Sequence, residues 1–175
     1  MERSPHAAKV LIGAAILLVA VVAAVLIARS GGGDDSGGAD AISTDTSVKP
    51  DVPAQSGPPP SGLESTDVVD GDGDTAETGD TVTVQYVGVD YETGEQFDAS
   101  WDNGQPFTFK LGSGQVIPGW DQGVTGMKVG GRRELIVPPD LAYGAQGSPP
   151  AIGPNATLVF VIDLLDVKSG GSPNG

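Results

Sequence analysis

The stretch TVTVQYVGV, residues 81–89, alternates apolar and polar side chains and predicts a β-strand with one buried face. Val82, Val84 and Tyr86 share that face. Residues 107–111, 132–137 and 157–167 also have strand character. The last of these segments, TLVFVIDLLDV, is apolar on both faces, which is typical of a central strand.

One short helix is predicted among these strands. Ile117, Trp120, Val124 and Met127 recur at helical spacing, although the glycines at positions 119, 123 and 126 lower the helix propensity. The strands and the helix do not alternate along the chain, which argues against βαβ units. We therefore predict an α+β fold, an antiparallel sheet wrapped around one short α-helix, in a single domain over residues 64–168.

Most aromatic residues of this chain stand beside Gly, Pro or an isolated Asp. A core alone does not require that placement, so we interpret these residues as lining a pocket. Seven of the nine aromatic residues in the chain belong to this set: Tyr86, Phe97, Phe107, Phe109, Trp120, Tyr143 and Phe160.

The order of these motifs resembles the FKBP (immunophilin) family of peptidyl-prolyl isomerases. The similarity covers nearly all of residues 64–168 and includes GDTVTVQYVG, FDAS, PFTFKLG, VIPGW, MKVGGRR, YG and ATLVF. It implies an FKBP-like fold and an enzyme that rotates X–Pro bonds without a cofactor, a metal ion or a covalent intermediate.

The resemblance also implies which residues bind the substrate. In that family the proline ring rests on a tryptophan at the floor of an aromatic pocket, which here is Trp120. The implied catalytic residues are Phe97, Asp98, Trp120 and Tyr143. The implied substrate-binding residues are Tyr86, Phe97, Asp98, Phe107, Val116, Ile117 (through its N–H), Trp120, Tyr143 and Phe160. Val116 and Phe160 are expected to serve both core and pocket, and Phe109 is expected to pack inward.

Two of these residues have an alternative interpretation. Trp120 also fits a helix residue that simply packs in the core. Asp98 also fits a turn or capping residue before Ala99-Ser100. In the pocket, Asp98 would accept a hydrogen bond from Tyr86 and set the local polarity, without acting as a general acid.

The sequence departs from better-known members of the family at the expected rim of the pocket. Ser148 stands where many members have His, and Ala151 where a larger aliphatic residue is common. Gln115 replaces an acidic residue. These departures bear on substrate preference and on the affinity for macrolides such as rapamycin.

Composition excludes several kinds of chemistry. The chain has no Cys, which excludes disulfides, thiol nucleophiles and thiolate metal sites. Its single His is His6, outside the predicted domain, so no His-based triad or metal site is expected. The run DGDGD at residues 70–74 resembles the start of an EF-hand loop, but Thr75 and Thr81 occupy the positions that require Gly and Glu. An acidic turn is the better interpretation.

The charge distribution argues against a nucleic-acid partner. The formal net charge is -14, and neither half of the chain carries a basic patch. Arg132-Arg133 beside Glu134 is interpreted as a strand with solvated charges. We expect a monomer whose partners are proline-containing polypeptides.

Two segments precede the domain. Residues 10–28 form an uncharged apolar run of 19 residues, long enough for the ~30 Å core of a bilayer. A single-pass membrane anchor, a cleaved signal peptide and a buried core helix are the alternatives, and the anchor is favoured. Arg3 and Lys9 then place the domain outside the cytoplasm.

Residues 30–63 are rich in Gly, Ser, Asp and Pro and are predicted to be a disordered linker. A proline-rich ligand for another domain is the alternative for this segment, and residues 169–175 are predicted to be a disordered tail.

The sequence thus predicts an extracytoplasmic, membrane-tethered peptidyl-prolyl cis-trans isomerase that acts on exported or cell-surface proteins. A binding module that uses the same pocket without catalysis is the main alternative. A holdase chaperone is a further one, although the segment from Tyr86 to Tyr143 leaves no room for an inserted flap domain.

Overall fold

The computed structural model describes residues 41–170, which form one antiparallel sheet with short helical segments. The strands are β1 (Glu64–Val69), β2 (Thr81–Asp90), β3 (Gln96–Ala99), β4 (Phe107–Lys110), β5 (Arg132–Val137) and β6 (Leu158–Lys168). The α-helices are α1 (Ser100–Asn103) and α2 (Pro118–Gly123), and 3-10 turns span Pro139–Leu141 and Gly144–Gln146. The four predicted strands are confirmed as β2, β4, β5 and β6, whereas β1 and β3 were not predicted.

The strand order is β1-β5-β6-β2-β3, and β4 also pairs with β2. Strand β6 lies in the middle of this order, as its two apolar faces predicted. All pairings are antiparallel, and the α+β fold class with a sheet against one short helix is confirmed.

Helix α2 packs against one face of the sheet, which we call the front face. The helix begins after Ile117 with Pro118 in its first turn, a position where proline costs no hydrogen bond. It ends at Gly123, and Met127 is buried beyond its end. A Cβ on Gly119 would collide with Val137, and one on Gly123 would lie 2.6 Å from Leu135. The glycines that lowered helix propensity therefore allow α2 to approach β5 closely.

The opposite, back face of the sheet is covered by residues 42–55, which we call the strap. The face is mostly aliphatic, with Val87, Val89, Val159 and Val161 buried beside Tyr91. Val52 of the strap packs on this cluster and is only 5% exposed. The Gln55 N–H donates to the Tyr91 carbonyl at 2.8 Å and ties the end of the strap to the sheet.

Arg132 holds the other end of the strap and is completely buried. Its guanidinium forms a bidentate ion pair with Asp163 at 2.5 and 2.8 Å. The remaining N–H groups donate to the backbone carbonyls of Ser43, Asp45 and Val48, at 2.7, 3.1 and 3.0 Å. All five donors of the side chain are therefore satisfied.

The strap bears on two sequence-based predictions. Residues 30–63 were predicted to be a disordered linker, yet within the described part the strap is packed on the sheet. The strap is poor in large apolar residues, and its order comes in part from backbone carbonyl groups bound by the buried Arg132 guanidinium. Arg132 was interpreted as solvated and is instead buried, while Arg133 forms an ion pair with Asp67 at 2.5 Å.

Several predictions fall outside the described residues. The apolar run at residues 10–28, the first part of the predicted linker at residues 30–40 and the tail from residue 171 onward all lie there. Between residues 41 and 170, no helix is long and apolar enough to cross a membrane. At the described end of the chain, the Gly170 N–H donates to Asp80 at 3.1 Å.

Candidate functional site

The predicted pocket residues come from four strands, one helix and two loop segments and converge on the front face. Trp120 lies in α2, Tyr86 in β2, Phe97 and Asp98 in β3, and Phe107 in β4. The four others are Phe160 in β6, Val116 and Ile117 in the loop before α2, and Tyr143 between the two 3-10 turns. We call these side chains together the aromatic site.

Trp120 is the centre of the aromatic site. The ring centroids of Tyr86 and Phe160 lie 5.0 and 5.3 Å from it, and both rings meet it edge-on. Phe107 lies at 6.2 Å, also edge-on. Trp120 itself is 2% exposed. It is thus both a core residue of α2 and the residue on which the surrounding rings converge, so its two sequence-based interpretations are compatible.

The side chains at and around the aromatic site differ in exposure. Phe97 and Phe107 are half-buried, whereas Val116, Ile117 and Phe160 are buried. Phe109 is 3% exposed and stacks on Phe107 at 5.5 Å, so the prediction that it packs inward is confirmed.

Asp98 accepts a hydrogen bond from the Tyr86 hydroxyl at 2.5 Å. Asp98 lies within β3 and is not a turn residue, so the geometry favours the hydrogen-bond acceptor over the capping role. Burial, and then the hydrogen bond to Asp98 and its charge, raise the pKa of the Tyr86 phenol. The Tyr86 phenol therefore keeps its proton and donates a hydrogen bond to the Asp98 carboxylate.

Tyr143 and Ile117 provide two further donors. Burial, and to a smaller extent the charge of Asp98, raise the pKa of Tyr143 to about 12, so its hydroxyl is neutral at physiological pH. Among the hydrogen bonds of residues 41–170, none uses the Tyr143 hydroxyl or the Ile117 N–H as a donor. Both groups remain able to bind an acceptor from outside the chain.

Gly88 is a site residue that the sequence analysis missed. Phe97 and Phe160 meet edge-on, with centroids 5.6 Å apart. A Cβ on Gly88 would lie 2.7 Å from the Phe97 ring and 2.9 Å from the Phe160 ring. A glycine inside a strand marks a close approach to the backbone, and that signal was present in the QYVG motif.

Ser100 was also missed as a site residue. It is 3% exposed, and its hydroxyl oxygen accepts the Tyr86 backbone N–H at 2.8 Å. The predicted rim residues Gln115, Ser148 and Ala151 are all exposed. Gln115 accepts the Lys110 N–H at 2.9 Å.

Two open grooves on the described surface lie away from the aromatic site. One, of about 280 Å³, runs beside Asp67, Lys128 and Arg133. The other, of about 270 Å³, lies between Pro50 of the strap and Gln96. Neither is lined by an aromatic side chain, so a proline ring has a better complement at the aromatic site.

An antiparallel sheet packed on one short helix, with aromatic rings gathered around a helix tryptophan, defines an FKBP-like isomerase domain. Comparison with known families agrees, because residues 73–165 match the model of the family described as FKBP-type peptidyl-prolyl cis-trans isomerase. The chain belongs to this family, and it is an enzyme of the isomerase class.

Known relatives support the same assignment. The chain is 58% identical over 120 residues to an FK506-binding protein of Streptomyces anulatus, covering 68% of this chain and 97% of that protein. It is 50% identical over 117 residues to a probable FK506-binding protein of Corynebacterium glutamicum, covering 67% of this chain and 97% of that protein. Among solved structures it is similar to FkpA from Escherichia coli, with a TM-score of 0.57 and 44% identity over 63% of this chain and 50% of that one.

Proposed function

We propose that the aromatic site binds an X–Pro segment of a polypeptide and catalyses its cis-trans isomerisation, with the proline ring on Trp120. The observation that carries the proposal is the Tyr86–Asp98 hydrogen bond among rings that converge on Trp120, beside the two unused donors of Ile117 and Tyr143. Phe97 and Phe107 are the partly exposed walls.

The chemistry requires no proton transfer and no covalent bond to the enzyme. The X–Pro bond interconverts over a barrier of ~20 kcal/mol because rotation destroys amide resonance. The twisted amide is less dipolar than the planar one and loses less on leaving water. Apolar rings around the bond therefore favour the transition state over the solvated ground state.

The two unused donors would hold the chain on either side of the rotating bond. The Tyr143 hydroxyl and the Ile117 N–H are suited to the carbonyl groups that flank proline, and the raised pKa of Tyr143 keeps its proton in place. Lowering the barrier by ~4–5 kcal/mol would accelerate the step about a thousandfold.

Asp98 would set the polarity of the site. Its carboxylate is held by the Tyr86 hydroxyl at 2.5 Å and would lie beside the rotating bond. The isosteric change Asp98→Asn removes this charge and keeps the shape, so it tests polarity separately from packing.

The deciding experiment is a protease-coupled isomerisation assay on a peptide that contains Ala-Leu-Pro-Phe. Catalysis predicts fast cis-to-trans conversion, with Asp98→Asn lowering kcat/KM by about three- to tenfold at an unchanged thermal midpoint. The alternative, a module that only binds proline segments, predicts saturable peptide binding with no acceleration, and Asp98→Asn would then change Kd alone.

We further propose that the clients are exported or cell-surface proteins and that residues 10–28 anchor the chain with its domain outside the cytoplasm. The support is the uncharged run of 19 residues with Arg3 and Lys9 before it. N-terminal sequencing of the membrane fraction tests this proposal. A mature chain that begins near Ser30 and is released to the medium would favour the cleaved signal peptide.

The same site is proposed to bind macrolides of the FK506 and rapamycin class. The support is that the chain's relatives are named FK506-binding proteins. The net charge of -14 supports polypeptide clients over nucleic acid, and a monomer is the proposed state. Titration with rapamycin, followed by tryptophan fluorescence, measures the affinity for the macrolide in a chain whose rim residues are Ser148 and Ala151.

A further inference from the structure

Strand β2 has a gap in its pairing at the residue that carries the Tyr86 side chain. Along one edge, Thr81–Val84 pair with β4 and Val87–Val89 pair with β3. Gln85 and Tyr86 lie between these two pairings and have no strand partner on that edge. Tyr86 is 6% exposed, so its backbone N–H needs a partner other than water.

Ser100 fills this gap with its side chain. Its Oγ accepts the Tyr86 N–H at 2.8 Å and donates its own proton to the side-chain oxygen of Gln85, a short contact. The Tyr86 carbonyl lies 3.4 Å from the same hydroxyl. Ser100 is 3% exposed, so bulk water has little access to its hydroxyl.

The hydroxyl is not used to cap α1, which is the usual task of serine at a helix start. Ser100 is the first residue inside that helix, and the capping position, Ala99, makes no side-chain hydrogen bond. The contact with Tyr86 is therefore the role that the geometry gives to this buried hydroxyl.

The consequence is that Tyr86 is held at both ends by one short segment. Its backbone N–H is bound by Ser100, and its phenol is bound by Asp98, two residues earlier in the same segment. Phe97, the wall of the aromatic site, precedes Asp98 directly. A shift of Ser100 away from Tyr86 would change the distance between the phenol and the carboxylate.

We propose that Ser100 is a positioning residue of the isomerase, which acts through the Tyr86–Asp98 pair without touching the substrate. The proposal rests on the proposed function of the aromatic site. It predicts that removing the Ser100 hydroxyl lowers kcat/KM only while the Tyr86 hydroxyl is present, because the Tyr86–Asp98 hydrogen bond transmits the effect of Ser100 to the site.

The experiment is a double-mutant cycle on kcat/KM in the protease-coupled assay, with Ser100→Ala, Tyr86→Phe and the double variant. Ser100→Ala is expected to lower kcat/KM about fivefold, but less than about twofold when Tyr86 is already Phe. Ser113→Ala is the matched control, because it removes an exposed hydroxyl that donates to the Lys110 carbonyl at 2.7 Å, and it should leave kcat/KM unchanged.

The outcomes separate the two proposals. Equal losses in both backgrounds, or no loss from Ser100→Ala, overturn the role of Ser100 while the isomerase function stands. An unaltered protein that binds the peptide but does not accelerate isomerisation overturns the proposed function instead.

If Ser100→Ala does not fold, Gln85→Leu removes the acceptor of the Ser100 proton and keeps the hydroxyl. It should then show a smaller loss, which also disappears in the Tyr86→Phe background.

Discussion

The two faces of the sheet are buried by different means. The back face is mostly aliphatic and is closed by the strap, and the Arg132 guanidinium at its edge uses all five of its donors. The front face carries the aromatic site and leaves the Ile117 N–H and the Tyr143 hydroxyl without acceptors among the described residues. A buried guanidinium whose donors are all satisfied adds stability, whereas donors that stay free and fixed in place can bind a ligand.

This comparison predicts that loss of the strap from the back face lowers stability, and that loss of a partly exposed side chain of the aromatic site lowers activity. Among the tests of this contrast, the largest effect should follow removal of the strap. A fragment that begins at Glu64 loses Val52 and the three carbonyl acceptors of Arg132, whereas one that begins at Ala41 keeps them. The shorter fragment should lose about 3 kcal/mol of unfolding free energy, measured by urea denaturation.

A matched control separates the effect of losing the whole strap from the effect of losing the ion pair of Lys49. Lys49→Ala in the longer fragment breaks only the ion pair with Asp102, at 2.7 Å and partly exposed, and should cost less than about 1 kcal/mol. Activity per folded molecule should be the same in all three proteins. Equal unfolding midpoints for the two fragments would mean that the domain does begin at Glu64, as the sequence predicted.

The strap also shows what sequence patterns predict and what they miss. Alternation predicted β2 and β4, helical spacing predicted α2, and an apolar run predicted β6, because burial leaves each of these patterns in the local sequence. Strand β1 has no such pattern, since four of its six residues are exposed and it exists through pairing with β5. The strap is ordered by contacts to Arg132 across 84–89 residues of sequence, which no local pattern records.

The candidate site was predictable in its membership but not in its internal geometry. Family motifs indicated Tyr86, Phe97, Asp98 and Trp120, and the structure brings them together. Gly88 leaves room for the Phe97 and Phe160 rings, and Ser100 accepts the Tyr86 N–H. Which glycine and which serine take these roles is decided by the strand register, which the motifs do not show. The catalytic roles of Phe97, Asp98, Trp120 and Tyr143 stay predictions.

The next effect in size is expected at the front face, from Phe97→Ala. If Phe97 is a wall against the twisted bond, kcat/KM should fall about tenfold, or ~1.4 kcal/mol of transition-state stabilisation. The thermal midpoint should fall little, because the side chain is already half-exposed at the site. Lost stability with normal activity per folded molecule would remove Phe97 from the aromatic site.

Phe109→Ala is the matched control for this prediction. Phe109 is on the same face and stacks on Phe107, but it is 3% exposed and packs inward. Its truncation should cost ~3–5 kcal/mol of stability, as for other buried aromatics, and change kcat/KM per folded molecule by less than about twofold.

The smallest effect concerns Tyr143 and high pH. Burial and the charge of Asp98 raise its pKa to about 12, above the usual value near 10 for an unfolded chain. The folded state therefore holds this proton between pH 10 and 12 while the unfolded state releases it, so unfolding free energy should be flat up to pH 9 and fall above pH 10. Tyr143→Phe should make that fall shallower and, by removing one donor to the substrate, lower kcat/KM about threefold at pH 7.5.

Tyr91→Phe, which removes a phenol at the back face, should leave kcat/KM unchanged. Equal activity losses in the two variants would show that the front-face donor has no special part in catalysis, and would contradict the contrast between the two faces where it is most specific.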